Sequence, residues 1–296
     1  MEGMLRPMKR WAGLVISLGL MATKVVAAPL PTGRGQTEVS YGGAPVTLHT
    51  YKPVGYSDGP LLVVFHGVMR NADQHLEFAI PMADRFGMIL VSPRLDEGAF
   101  PDEEWYQRGG VLTAGGEANP RERWMFNVVD VIVADVRTRE NRPALPYYLI
   151  GHSAGAQFLV RLAAFQPGAA RRIVAGNAGS LLFPSTDHGF GYGLGGLPAE
   201  LRDDAMLRQY LAAPLTLYLG TADTAPRRRF DASAAGMKQG PHRYARNLAC
   251  YALAEAMAKE RGWTFGWRKV EAPGIDHDAA RMFAAPEVGD ALLGPK

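Results

Sequence analysis

Cysteine is almost missing from this chain: Cys250 is its only one in 296 residues. A single thiol excludes an intrachain disulfide and any metal centre built on several cysteines. Ala249, Leu253 and Met257 surround it at helical spacing, so Cys250 reads as a small buried core residue. Internal repeats and low-complexity tracts are lacking too. So is any apolar run of the roughly 20 residues that a membrane-spanning helix needs. Charge of one sign is also scarce once the chain is divided. Residues 1–28 carry Arg6, Lys9, Arg10 and Lys24 against Glu2, which accounts for the whole formal charge of +3. The remainder is close to neutral, so net charge supplies no argument for a nucleic-acid partner. The one compact basic cluster, Pro226 to Phe230, reads as a solvated surface loop.

What is present is enough apolar material for a large core: 47% of residues are hydrophobic and 21% charged. The first residues form a segment of their own. Lys9 and Arg10 precede an apolar run from Trp11 to Ala22, and small residues gather at Val26-Ala27-Ala28. That order describes a secretory signal peptide over residues 1–28, with an uncleaved anchor as the alternative. The mature chain, residues 29–296, is then one exported domain, periplasmic or secreted, with no stable membrane span.

Along that domain, residues 38–53 predict a hairpin around Gly42-Gly43, and "PLLVVFHG" predicts a strand buried on both faces. A helix over Asp73 to Phe86, a strand "MILVSP", a loop from Arg94 to Gly116 and a long helix from Arg121 to Arg139 follow. Beyond them come strands at "YYLIGH", "RRIVAGNAG", "APLTLYLGTADT" and "FGWRKVEAPG". Helices are expected after Ala154, over 243–261 and at the C-terminus, and residues 180–210 begin irregular. Strands alternating with helices imply a mostly parallel central sheet with helices on both faces, an α/β fold.

The stretch "GHSAG" places Ser153 on the corner between a strand and a helix, with Gly151 and Gly155 where side chains would collide. A G-x-S-x-G turn there holds the serine hydroxyl clear and points the N–H groups of the new helix at it. Serine at neutral pH needs a base. His277 follows the last strand in "KVEAPGIDHD", and Asp223 follows the strand before it in "LTLYLGTADT". Each lies at the sheet end where ligands bind in parallel α/β folds. Asp231, Asp276 and Asp278 are rival acids. "HGVMRNAD" ends a buried strand, so the Val68 N–H, with Met69 second, pairs with the Ala154 N–H as an oxyanion hole. His66 reads as a brace for that loop rather than as the base, and Arg70 and Asn71 are further candidate braces. Substrate contacts are expected from Met69, Trp105, Tyr106, His152, Asn177 and Tyr192, with Phe183 and Phe190 nearby in the insertion over the serine. Packing of that insertion on the sheet is the competing role for its aromatics.

"HGVMRNAD", "GHSAGAQ", "LGTADT" and "PGIDHD" together resemble the α/β-hydrolase superfamily over residues 40–290. More narrowly, the chain resembles exported esterases of the polyhydroxybutyrate-depolymerase-like branch. The resemblance implies the α/β-hydrolase fold, Ser153 as nucleophile, His277 as base, Asp223 as its orienter, and neither metal nor cofactor. It implies a small-molecule or oligomeric ester as substrate, through an acyl-enzyme intermediate. The single cysteine departs from disulfide-bearing polymer-degrading members. A serine peptidase or amidase would use the same triad, and a non-catalytic binding protein could keep the fold.

Overall fold

A computed structural model describes residues 27–226 and 229–295. The segment read as an export signal lies outside the described residues except for Ala27 and Ala28, as do Arg227 and Arg228 of the basic cluster. No helix among the described residues is long and apolar enough to cross a membrane.

Eight strands make one sheet: β1 (Gly33–Tyr41), β2 (Ala44–Lys52), β3 (Leu61–Phe65), β4 (Ile89–Arg94), β5 (Tyr147–His152), β6 (Ile173–Gly176), β7 (Leu215–Gly220) and β8 (Arg268–Ala272). Their spatial order is β1-β2-β4-β3-β5-β6-β7-β8. The β1–β2 hairpin is antiparallel and β2 joins β4 antiparallel, whereas every later pair is parallel. This is the α/β-hydrolase fold.

Strand β3 shows why the sheet is buried on both sides. Leu61, Val63 and Phe65 point into one apolar layer, and Leu62 and Val64 into the other. The larger layer is closed by α2 (Asn127–Arg139), α3 (Ala154–Phe165), α4 (Asp204–Ala212) and α6 (Arg243–Glu260). The smaller is closed by α1 (Ala72–Phe86), α7 (Ala279–Ala284) and α8 (Val288–Leu293). Cys250 on α6 is fully buried in the larger layer, as its apolar spacing suggests.

Several boundaries differ from the sequence pattern. The hairpin begins at Gly33, because Thr37 to Gly33 keep pairing down to Lys52. The expected helix 121–139 is a 3-10 turn at Arg121–Arg123 followed by α2, since Trp124 and Met125 turn inward to fill the core. The stretch 180–210 ends in α4, capped by the Asp203 side chain on the Met206 N–H. A short helix α5 (Ala234–Gln239), capped by Ser233, was hidden by its weak apolar pattern.

Candidate active site

Strand β5 turns into α3 through Ser153, whose backbone is held at φ 57°, ψ −111°. A non-glycine residue there is strained by about 1–3 kcal/mol, and surrounding contacts hold it in place. The Ser153 N–H donates to Gly176 O (3.0 Å), and its carbonyl accepts from the Gln157 N–H (3.0 Å). A β-carbon on Gly155 would collide with the carbonyls of Phe65 and His66, so α3 packs this close to β3 only with glycine.

Asp223 and His277 arrive on two loops laced to each other. Thr221 N–H donates to Ala272 O (3.1 Å) and Ala222 N–H to Ile275 O (2.9 Å). The Gly274 N–H donates to Thr221 Oγ1 (2.9 Å). These bonds set Asp223 beside His277. His277 Nδ1 lies 2.8 Å from Asp223 Oδ2, and His277 Nε2 lies 3.0 Å from Ser153 Oγ. An ionised carboxylate only accepts, so the imidazole proton belongs on Nδ1 and Nε2 accepts from the serine hydroxyl. The rival acids are engaged elsewhere. Asp278 caps α7, Asp231 binds Tyr192 and Ser233, and Asp276 Oδ1 lies 3.7 Å from Arg281.

Asp223 is 1% exposed and faces the start of α6. Tyr244 N–H donates to its carbonyl (3.2 Å), and Arg243 Nη1 lies 3.6 Å from its Oδ1. Arg243 escaped the sequence reading because nothing in "PHRYARN" marks an arginine as buried.

The loop after β3 is braced from below. His66 is fully buried, with Nδ1 2.8 Å from Gly67 O and Nε2 accepting from the Leu95 N–H (3.1 Å). His75 Nε2 accepts from the Gly67 N–H (3.2 Å). Arg70 donates to Leu95 O and Phe100 O, each at 2.9 Å. No described residue accepts from the Val68 or Ala154 N–H, and both residues line the cavity beside Ser153.

Both bracing histidines must stay neutral to accept, and burial holds them so. The His66 pKa is pushed down to about 3 by desolvation, and that of His75 is lowered for the same reason. In the unfolded chain a histidine takes its proton near 6.5, so between there and about 3 the unfolded state binds more protons. Stability therefore falls as pH drops below 6.5. Replacing His66 by asparagine is expected to flatten the melting temperature's fall between pH 6.5 and 4, even where the variant is less stable at neutral pH. A slope equal to the parent's in thermal melts would rule out His66 as a contributor.

The cavity at Ser153 measures about 300 Å³. Met69 lines it and is 63% exposed. His152 lines it as well, 4% exposed, with its ring centroid 4.6 Å from that of His277. Four expected contacts stand elsewhere. Tyr106 is fully buried beneath the site, where its hydroxyl donates to His66 O (2.6 Å) and its ring lies under Arg70. Trp105 packs on Gly110 against the core. Tyr192 donates to Asp231 Oδ2 (2.7 Å), away from the cavity. Asn177 is 2% exposed and spends its amide on backbone groups. Aromatic and amide side chains in such loops look like ligand contacts in a sequence, but here they hold the loops to the core and to each other. Gln107, Gln157 and Arg229 line the cavity instead. Gln157 was findable, one helical turn beyond Ser153.

A family profile described as Esterase PHB depolymerase matches residues 47–183, which include Val68 and Ser153 but end before Asp223. The solved structure of LpqC, a poly(3-hydroxybutyrate) depolymerase from Bordetella parapertussis, is 36% identical with a TM-score of 0.79, covering 86% of this chain and 88% of its own. The chain belongs to the esterase PHB-depolymerase family. Poly(aspartic acid) hydrolase-1 from Sphingomonas sp. KT-1 is 33% identical with a TM-score of 0.80, covering 86% of this chain and 96% of its own. An IroE-like serine hydrolase from Shewanella oneidensis, 11% identical at a TM-score of 0.51, shares the fold over 84% of this chain and 77% of its own. No functionally curated protein matches the sequence. Like its family, this PHB-depolymerase-type esterase is a carboxylic ester hydrolase.

Proposed function

We propose that Ser153, His277 and Asp223 form the catalytic triad of this esterase. The observation that carries it is the unbroken chain of hydrogen bonds from Asp223 through His277 to Ser153. His277 Nε2 takes the hydroxyl proton as Ser153 Oγ attacks the ester carbonyl, and the Val68 and Ala154 N–H groups hold the oxyanion. Collapse expels the alcohol, which leaves with the proton from His277. Water, deprotonated by the same nitrogen, then attacks the acyl-serine and releases the acid. Asp223 holds the imidazole in the right tautomer and stabilises its cation. Intact mass after fluorophosphonate treatment tests this: one adduct on Ser153, formed fast in the parent and slowly in His277→Ala. Rapid labelling at any other residue would sink the assignment.

The substrate follows from the charge around the serine. Among the described residues no aspartate or glutamate lines the 300 Å³ cavity, whereas Arg229 and Arg243 do, and Arg229 also lines the adjoining 280 Å³ cavity together with Arg70, Arg94, Asp96 and Glu97. An ester bearing a free carboxylate, as an oligomeric hydroxyacid does at its end, fits that field. Arg229→Gln is expected to raise KM about three- to tenfold for a carboxylate-bearing ester, as for an exposed charge-assisted contact. KM for a neutral p-nitrophenyl ester is expected to stay unchanged. Equal shifts on both would exclude charge recognition.

Amide cleavage is a second reading, favoured by the likeness to a hydrolase named for poly(aspartic acid), an amide-linked polyanion. Comparing matched ester and amide substrates separates the two. Residues 29–296 form the mature exported enzyme in this reading, with residues 1–28 removed, and sequencing the N-terminus of the exported protein tests it.

A further inference from the structure

The end of β6 is tied to the loops of all three triad residues, Gly176 to that of Ser153 and Asn177 to those of Asp223 and His277. Gly176 O accepts the Ser153 N–H, and Asn177 follows directly, with φ 48°. Asn177 Oδ1 accepts from the Gly220 N–H (2.8 Å) at the end of β7, three residues before Asp223. Asn177 Nδ2 donates to the carbonyl of Asp276 (2.9 Å), the residue before His277. The Asn177 N–H itself donates to Tyr218 O (3.0 Å) on β7.

We propose that Asn177 is a positioning residue for the base. Its amide fixes the distance between the nucleophile's side of the sheet and the backbone that carries His277. The inference rests on the triad reading above. Asp223 and His277 are already joined through the Thr221 and Ala222 bonds, which do not involve Asn177. What Asn177 adds is the tie from β6, where Ser153 is anchored, to Asp276. Losing it loosens the His277–Ser153 contact and leaves the His277–Asp223 contact in place. The side chain must present an acceptor and a donor from one planar group, in a backbone conformation asparagine tolerates. Glycine would keep the backbone but take the Oδ1 acceptor from the Gly220 N–H and one of its donors from the Asp276 carbonyl, which also accepts from the Asp278 N–H (2.9 Å). Aspartate has the right shape, but its ionised form turns an acceptor toward the Asp276 carbonyl.

The test compares Asn177→Gly and Asn177→Asp with the parent on a neutral p-nitrophenyl ester, with thermal melts to establish that each folds. Misplacement on the scale of 1 Å costs up to about 100-fold. For Asn177→Gly, kcat is expected to fall about 10- to 100-fold with KM within about twofold, at every pH. For Asn177→Asp, the ratio of its kcat to the parent's is expected to fall as pH rises, because only the protonated carboxyl donates to Asp276 O. Asn177→Gly adds no titratable group, so its ratio to the parent is the control for the groups both proteins share: His152, Asp223, Asp276, His277 and the arginines. The downfield imidazole proton resonance of the His277–Asp223 bond is expected to persist in both variants. Parent-like kcat in folded Asn177→Gly, or a pH-independent ratio for Asn177→Asp, would overturn the inference. A parent protein that fluorophosphonate does not label at Ser153 would overturn the triad reading instead.

Discussion

Ser153→Ala is expected to lower kcat on any ester by about 10⁶-fold, leaving the residual rate that an oxyanion hole and binding alone supply. The magnitude follows from the proposed role: as nucleophile, Ser153 Oγ lies 3.0 Å from His277 Nε2 and borders the cavity that Val68 and Ala154 also line. His277 then has no bound hydroxyl to deprotonate, and water must find the site by itself. The fold should survive, because the Ser153 N–H and C=O bonds to Gly176 and Gln157 belong to the backbone. Alanine at φ 57° keeps the strain, whereas Ser153→Gly relieves it and is expected to melt higher than Ser153→Ala by about 1 kcal/mol of stability. Steady-state rates together with thermal melts check both parts. A folded Ser153→Ala variant retaining a tenth of parental activity would remove Ser153 from the mechanism.

Asp223→Asn is expected to lower kcat by about 10⁴-fold, as the equivalent change does in the serine-protease triad. An asparagine amide can donate to His277 Nδ1, which stabilises the tautomer with its proton on Nε2. That nitrogen then faces the Ser153 hydroxyl as a donor and cannot act as base. The change also removes a buried carboxylate 3.6 Å from the Arg243 guanidinium, itself 3% exposed. Loss of a buried charge partner is expected to cost about 1–3 kcal/mol, so this variant should melt below Ser153→Ala. Fluorophosphonate labelling slowed in parallel with ester turnover is the kinetic signature. A loss under tenfold would mean that His277 is oriented by another group.

The two variants separate parts of the site that differ in how far the sequence revealed them. The corner at Ser153 was legible, because an apolar strand, two glycines and a helical repeat are all local features. The loops carrying Asp223 and His277 were legible by position at strand ends, while Asp231, Asp276 and Asp278 stood as rival acids until the structure showed them engaged elsewhere. The cavity wall was legible only in part, at Met69 and His152. Tyr106 and Trp105 stood in a loop of the kind that carries ligands, yet both pack against the core, and the space is lined by Gln107, the next residue, and by Arg229 from a loop about 120 residues away. Which way a loop side chain points depends on what packs beneath it, and that partner is distant in sequence.

Periodicity and turn chemistry are encoded within a few residues. They were enough to determine the layered parallel sheet and the strand-to-helix turn at Ser153, and to place Asp223 and His277 after later strands. Distances between loops are decided only when β5, β6, β7 and β8 lie side by side. The parallel register brings Gly151 opposite Ala175, Ala175 opposite Leu217, and Tyr218 opposite Val270. Only that alignment brings Asn177 to Asp276, Arg243 to Asp223 and His277 to Ser153. Those are long-range hydrogen bonds and ion pairs, and no local sequence pattern specifies them.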